Sequence, residues 1–323
     1  MSAKFRQSVV FKKSSPVLFS IIVLALICFW ASFGRANEGA NSEAEKARMP
    51  DITRILRDLE YVPGGHERQK LDMYLPPQGE GSAALPLIVW VHGGAWLGGN
   101  KNSCPAAQFL KDGFAAASIN YRLSQHAIFP AQIEDCKAAI RFLRANAGKY
   151  NIDPNHIGVW GASAGGHLVA LLGTTGDVND FDKGPNLQFS SKVQAVCDFF
   201  GPTDLTKMSA FESIMDHDAP DAPEAKLIGG PVQENKEACK RANPITYISK
   251  NDPPFLICHG DKDNLVPINQ SVLLYEALKK AGVDVTFHTV EGGGHGFRDP
   301  EVDKMVLEFF TKHLKGTEET PSR

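Results

Sequence analysis

Apolar residues in this chain fall into two repeating textures. A run without alternation covers Leu85 to Val91, and further strand-like runs cover Phe114 to Asn120, His156 to Trp160, Val193 to Phe200, Pro254 to His259 and Val283 to Val290. A short apolar run that needs no polar face suits a strand buried on both sides, as in a parallel sheet. Between these runs the period lengthens. Helical stretches are predicted at Ala106 to Lys111, at Pro130 to Ala147 with Ile133, Cys136, Ile140 and Leu143 along one face, from His167 through Leu172, at Asn269 to Ala281 and at Pro300 to Leu314. Strand and helix signals taking turns predict an α/β fold, a mostly parallel central sheet with helices on both faces. Ligands of such sheets bind beyond the carboxyl ends of the strands.

Three segments depart from that alternation. Asp51 to Leu59 reads as a short helix, after which Leu59, Tyr61, Leu71, Met73 and Leu75 alternate with polar residues. The alternation predicts antiparallel edge strands joined through Pro63-Gly64-Gly65. From Asp204 to Pro244 there is no clear strand, only short helical pieces and the acids Glu212, Asp216, Asp218, Asp221 and Glu224, so residues 205–244 are expected to form a small cap insertion on the surface. The first thirty-six residues differ in kind: Lys4, Arg6, Lys12 and Lys13 precede an apolar run from Pro16 to Phe33, followed by Gly34-Arg35-Ala36. That order predicts a secretory signal peptide over 1–36 and a secreted or periplasmic protein, with an uncleaved membrane anchor as the alternative. Residues 37–50 read as a polar linker, 51–315 as the folded domain and 316–323 as a mobile tail.

Composition removes several classes of partner. The chain of 323 residues carries a formal charge of -3 and no basic stripe, which gives no electrostatic case for nucleic acid. A small neutral or weakly charged partner fits better, with membrane contact only through the N-terminal segment if it is retained. Cleavage would leave Cys104, Cys136, Cys197, Cys239 and Cys258, an odd number in helical and strand patterns that suits buried thiols. Their spacing matches no zinc site, and a Cys197–Cys239 bridge is conceivable.

The candidate chemistry begins at Val159-Trp-Gly-Ala-Ser-Ala-Gly-Gly166, where a strand end meets a helix start with a glycine on either side of Ser163. Such a turn exposes a serine hydroxyl at its tip, and Gly161 and Gly165 remove the β-carbons that would clash there. A serine is a poor nucleophile without a base. His295, in Glu291-Gly-Gly-Gly-His-Gly-Phe297 after the last strand, is the best-placed histidine. The acid that orients it is expected in His259-Gly-Asp-Lys-Asp-Asn-Leu-Val-Pro267, where Asp261 and Asp263 both qualify. The chain order Ser, Asp, His is that of α/β-hydrolases. An oxyanion hole is expected from the amides of Gly93 and Gly94 in His92-Gly-Gly-Ala-Trp96, with that of Ala164. Trp96 and Tyr121 are candidates for shaping the substrate pocket. The chain lacks the Walker lysine pattern and the G-x-G-x-x-G fingerprint, and no metal or cofactor is expected.

From about Tyr61 to Lys315 the chain resembles α/β-hydrolase esterases near the hormone-sensitive-lipase and carboxylesterase groups, above all the bacterial bifunctional feruloyl and acetyl xylan esterase-like family. The resemblance is carried by Leu71-Asp-Met-Tyr-Leu-Pro76, His92-Gly-Gly-Ala-Trp96, Asn120-Tyr-Arg122, Phe129-Pro-Ala131 with Ile133-Glu-Asp135, Gly161-Ala-Ser-Ala-Gly-Gly-His167, Gly201-Pro-Thr-Asp-Leu205 and Asp263 with Val266-Pro267. It implies an α/β-hydrolase fold and a serine esterase acting on short acyl esters of small molecules or polysaccharide. It also selects Asp263, three residues before Val266-Pro267, as the acid. Ala95 and Ala162 depart from relatives that carry a third glycine and an acid there, which weakens transfer of any one substrate. An arylformamidase or prolyl-oligopeptidase-like peptidase would use the same apparatus. A non-catalytic hydrolase-fold protein that binds at the cell envelope would have no need of it.

Overall fold

The computed structural model describes residues 54–315, so the expected signal peptide, linker and tail lie outside the described residues. Eight strands form one sheet: β1 (Arg54–Glu60), β2 (Lys70–Leu75), β3 (Leu85–Val91), β4 (Ala115–Ile119), β5 (Ile152–Ala162), β6 (Ala195–Phe199), β7 (Phe255–Gly260) and β8 (Val285–Val290). Their spatial order is β1-β2-β4-β3-β5-β6-β7-β8. β2 runs antiparallel to both its neighbours, and every pairing from β4 onward is parallel. All residues of β4, β6 and β7 are buried, which is why their sequences show no alternation.

Two glycines of β5 show what covers each face. A β-carbon on Gly158 would strike Phe310 and Leu314 of α5 (Pro300–Leu314). Gly161 is three residues further along and therefore on the opposite face, where it abuts Gly165 and Val169 of α2 (Ala164–Thr174). The sheet is thus flanked on both sides. α1 (Ala131–Ala145) contributes Ile133, Cys136, Ile140 and Leu143 to the same core as Val89, Val159 and Leu168. Cys197 and Cys239 are both buried free thiols, so they are not bridged to each other.

The N-terminal expectation is corrected. Residues 54–59, read as part of a helix, belong instead to edge strand β1, with Arg54 opposite Leu75 and Leu59 opposite Leu71. The pairing slips between Leu56 and Leu59, where Asp58 takes φ 54°. This bulge explains the misreading. Leu56 and Leu59 are an odd number of positions apart and would face opposite sides of a regular strand, but the inserted residue turns both inward and imitates helical spacing. Buried Asp72 anchors the bulge by accepting from the Asp58 amide at 2.8 Å, from Arg57 at 2.6 Å and from Lys101 at 2.7 Å.

Between β6 and β7 the described chain contains no strand. It forms a 3-10 helix (Leu205–Ala210) and the short helices α3 (Pro223–Ile228) and α4 (Lys236–Ala242). One of the acids expected on its surface is not there: Glu224 is 3% exposed and paired with buried His217 at 2.9 Å. Burial lowers the His217 pKa, but the Glu224 carboxylate and the Leu265 carbonyl outweigh it and raise it overall. The Ile214 amide donates to Asn264 at 2.9 Å and His217 Nε2 to the Leu265 carbonyl at 3.0 Å, so this segment is docked on the loop after β7.

Candidate active site

β5 ends at Ala162 and α2 begins at Ala164, leaving Ser163 alone at the corner with φ 56° and ψ -122°. A non-glycine residue held there is strained, and such strain persists only where its surroundings over-determine it. Here the surroundings are backbone. The Ser163 amide donates to the Phe199 carbonyl at 2.9 Å and its carbonyl accepts from the His167 amide at 3.0 Å. Gly165 lies so close to the Val91 and His92 carbonyls that a β-carbon would overlap both. Gly165→Ala is therefore expected to destabilise the protein by about 3 kcal/mol or more, read as a lower denaturation midpoint at unchanged slope. Wild-type stability in that variant would contradict the close packing.

The structure brings the serine and its expected partners together. His295 Nε2 lies 2.9 Å from Ser163 Oγ, and His295 Nδ1 lies 2.7 Å from Asp263 Oδ2. With Nδ1–H donating to the carboxylate, Nε2 is left to accept the serine hydroxyl. Asp263 Oδ1 accepts from the Leu265 and Val266 amides, each at 2.9 Å. Burial pushes the Asp263 pKa up, but hydrogen bonds from His259 and His295, the charge of His295 and the Leu265 amide hold it well below the usual carboxylate range. Asp263 is therefore a carboxylate at neutral pH. Asp261 plays a different part. Its Oδ1 accepts the Gly292 amide at 2.7 Å, while the Lys262 amide donates to Gly293 at 2.8 Å, and together they pin the glycine loop that carries His295.

The expected oxyanion residues lie beside the serine. A β-carbon on Gly93 would come within 3.2 Å of Ser163 Cβ and 2.7 Å of the Ala162 carbonyl, so backbone approaches Ser163 where no side chain fits. Gly94 takes φ 109°, and its carbonyl accepts from the Leu97 and Gly98 amides at 2.9 Å. Ala164, the first residue of α2, has a helix-end amide with no intrahelical partner.

Two expected pocket residues are elsewhere. Trp96 is 1% exposed and stands edge-on to buried His167, and Tyr121 is 0% exposed, so neither lines an opening. Both are packing that holds the Gly93–Gly94 loop from behind. Tyr121 stacks on His92 with centroids 4.4 Å apart and donates its hydroxyl to the His92 carbonyl at 2.9 Å. Position next to a motif does not reveal which side of the loop a side chain takes.

Sequence reasoning missed the support of that loop. His92 lies with Nδ1 2.7 Å from the Gly93 carbonyl and Nε2 3.1 Å from Arg68 Nη2. Burial, aided by the Arg68 charge and opposed by the Gly93 carbonyl, lowers its pKa to about 3, so the ring is neutral: Nδ1–H donates to Gly93 and Nε2 accepts from Arg68. Arg68 also donates to the Tyr121 and Gly99 carbonyls at 2.8 and 2.9 Å. Nothing in the sequence around Arg68 links it to residues 92–99. Also missed was an aromatic group beside the base: Phe200 lies 4.8 Å from His295, and Phe297 lies 5.2 Å from Phe199 and 5.5 Å from Phe200. The apolar doublet after β6 and the Phe two places after His295 were its signals.

The BD-FAE family profile matches residues 71–278. A truncated form of a carbohydrate esterase from gut microbiota superposes with a TM-score of 0.75 at 40% identity, over 81% of this chain and 96% of that one. An acetyl ester-xyloside bifunctional hydrolase from Caldicellulosiruptor lactoaceticus gives a TM-score of 0.62 at 30% identity, over 76% of this chain and 86% of that one. Esterase LipC of Mycobacterium tuberculosis is 31% identical over 260 residues, 77% of this chain and 64% of LipC. The chain spans 56–64% of the length of the first three curated relatives it matches.

Proposed function

Because the chain belongs to the BD-FAE family of α/β-hydrolase esterases, we propose that it is an exported serine carboxylesterase that removes short acyl groups, acetyl or feruloyl, from plant polysaccharide or smaller esters. The observation that carries the reading is the continuous relay from Ser163 Oγ through His295 to Asp263, at 2.9 and 2.7 Å, beside a loop that brings the Gly93 backbone against Ser163. In this reading Ser163 Oγ attacks the ester carbonyl while His295 Nε2 takes its proton. The Gly93, Gly94 and Ala164 amides hold the oxyanion. The C–O bond to the alcohol then breaks as His295 returns the proton to the leaving oxygen, and the acyl group stays on Ser163. Water, deprotonated by the same nitrogen, attacks that ester and releases the acid. Asp263 stays ionised and stabilises the imidazolium in both steps.

The substrate class rests on three supports. The names of the carbohydrate esterase and the acetyl ester-xyloside hydrolase point to acylated sugars. The aromatic group of Phe199, Phe200 and Phe297 offers an apolar wall beside the base that suits a small or aromatic acyl group. The segment at 205–244 carries exposed Glu212, Asp216 and Asp221, a surface unsuited to long-chain lipid. Export rests on the basic and apolar order of residues 4–36, and N-terminal sequencing of the fractionated protein tests it. We expect p-nitrophenyl acetate, acetylated xylan and methyl ferulate to be hydrolysed, and N-formylkynurenine and a proline p-nitroanilide to be left intact. Turnover of either of the last two at a higher kcat/KM than every ester would sink the esterase reading.

A further inference from the structure

We propose that His259 is a positioning residue of this site, a second histidine that fixes Asp263 for His295. The inference rests on the reading of Ser163, His295 and Asp263 as the reacting relay. His259 is the penultimate residue of β7, just before Gly260, and is 0% exposed. Its Nε2 lies 3.2 Å from Asp263 Oδ2 and 2.9 Å from the Val266 carbonyl. Both are acceptors, so Nε2 carries the hydrogen. On the other side Nδ1 lies 2.7 Å from Ser271 Oγ. A chain of contacts therefore runs from Ser271 through His259, Asp263 and His295 to Ser163.

The oxygen that His259 touches decides its role. Asp263 Oδ1 is held by the Leu265 and Val266 amides, and Oδ2 is shared by the two histidines. Without His259, Oδ2 would be held only by His295, the ring whose orientation it has to define. His259 supplies an independent fixed point, since its own ring is locked by Val266 and Ser271. Phe200 stands edge-on to both rings, with centroids 6.2 Å from His259 and 4.8 Å from His295, and the Asp263 side chain is 0% exposed, so the shared oxygen is shielded from water. The single Nε2 hydrogen is shared between the Val266 carbonyl and Oδ2, and a contact to a charged group in such a buried place is worth more than one in water.

The test uses the full chain, with p-nitrophenyl acetate turnover and fluorophosphonate labelling of Ser163 as readouts. His259→Leu is expected to lower kcat on the order of tenfold to a hundredfold with KM little changed. His259→Gln, whose Nε2–H reaches the same oxygen, should recover most of that loss. In an Asp263→Ala background, His259→Leu should cost nothing further, because its effect passes through the carboxylate. A merely structural histidine would instead give losses that add, follow the melting temperature and ignore the glutamine rescue. Either that pattern or wild-type kcat in folded His259→Leu overturns the proposal. If the leucine variant does not fold, Ser271→Ala decides. A several-fold loss of kcat that vanishes in the Asp263→Ala background supports the proposal, and an unchanged kcat overturns it. Failure of the underlying reading looks different: wild type would neither turn over the ester nor label at Ser163.

Discussion

Ser163→Ala is expected to lower kcat for p-nitrophenyl acetate by about 10⁶-fold, roughly 8 kcal/mol of transition-state stabilisation, and to abolish fluorophosphonate labelling. Alanine is tolerated at the corner no worse than serine, because the φ of 56° is imposed by backbone contacts that the substitution leaves alone. The melting temperature should therefore stay within a few degrees of wild type. Removing Oγ deletes the bond-forming atom, and His295, 2.9 Å away, is left with no proton to accept. The loss should not deepen when His295→Ala is added, since residues that act as one unit lose their function together. A small rate above that in water should persist through the Gly93–Gly94 loop. The outcome that excludes a serine mechanism is a folded Ser163→Ala protein with more than about a tenth of wild-type kcat.

Burial on both faces is what made the sheet legible in the sequence. Strands such as Leu85–Val91, with no polar alternation, stand out from their flanks, and the helices at Asn269–Ala281 and Pro300–Leu314 keep the bounds that their apolar period predicts. β1 was misread because its bulge changes the period over a few residues, and no local signal marks a bulge. The site was legible for a related reason. Ser163, Gly93, Asp263 and His295 all follow strand ends, so a parallel sheet carries them to one edge whatever their separation in sequence. Arg68 and His259 were not legible, since their roles depend on where loops fold in space. Arg68 reaches back from the turn after β1, and the sequence gives no hint that His259 shares an oxygen with His295. Trp96 failed in the opposite sense, being adjacent to the motif but turned inward by left-handed backbone at Ala95 and Trp96.

The two aspartates after β7 were equivalent candidates by spacing and are not equivalent in space, and this separates the expected effects of their substitution. Asp263→Asn is expected to lower kcat by about 10⁴-fold, by analogy with the same change in the serine-protease triad. The amide is nearly isosteric, and its oxygen can still accept from the Leu265 and Val266 amides at the Oδ1 position. What changes lies at Oδ2, where an NH2 group would face His295 Nδ1 and His259 Nε2. To meet that donor, His295 must present an unprotonated Nδ1 and shift its hydrogen to Nε2, the atom that has to accept from Ser163. The wrong tautomer therefore removes the base without moving it, and the imidazolium that follows has no counter-charge. Asp261→Asn changes a different contact. Its oxygen can still accept the Gly292 amide, so the glycine loop stays in place and kcat should fall less than about threefold. Measuring both variants with p-nitrophenyl acetate and checking each fold by melting temperature decides the assignment. A large loss at Asp261 with a small one at Asp263 would move the acid role to Asp261 and remove the premise on which His259 was given its part.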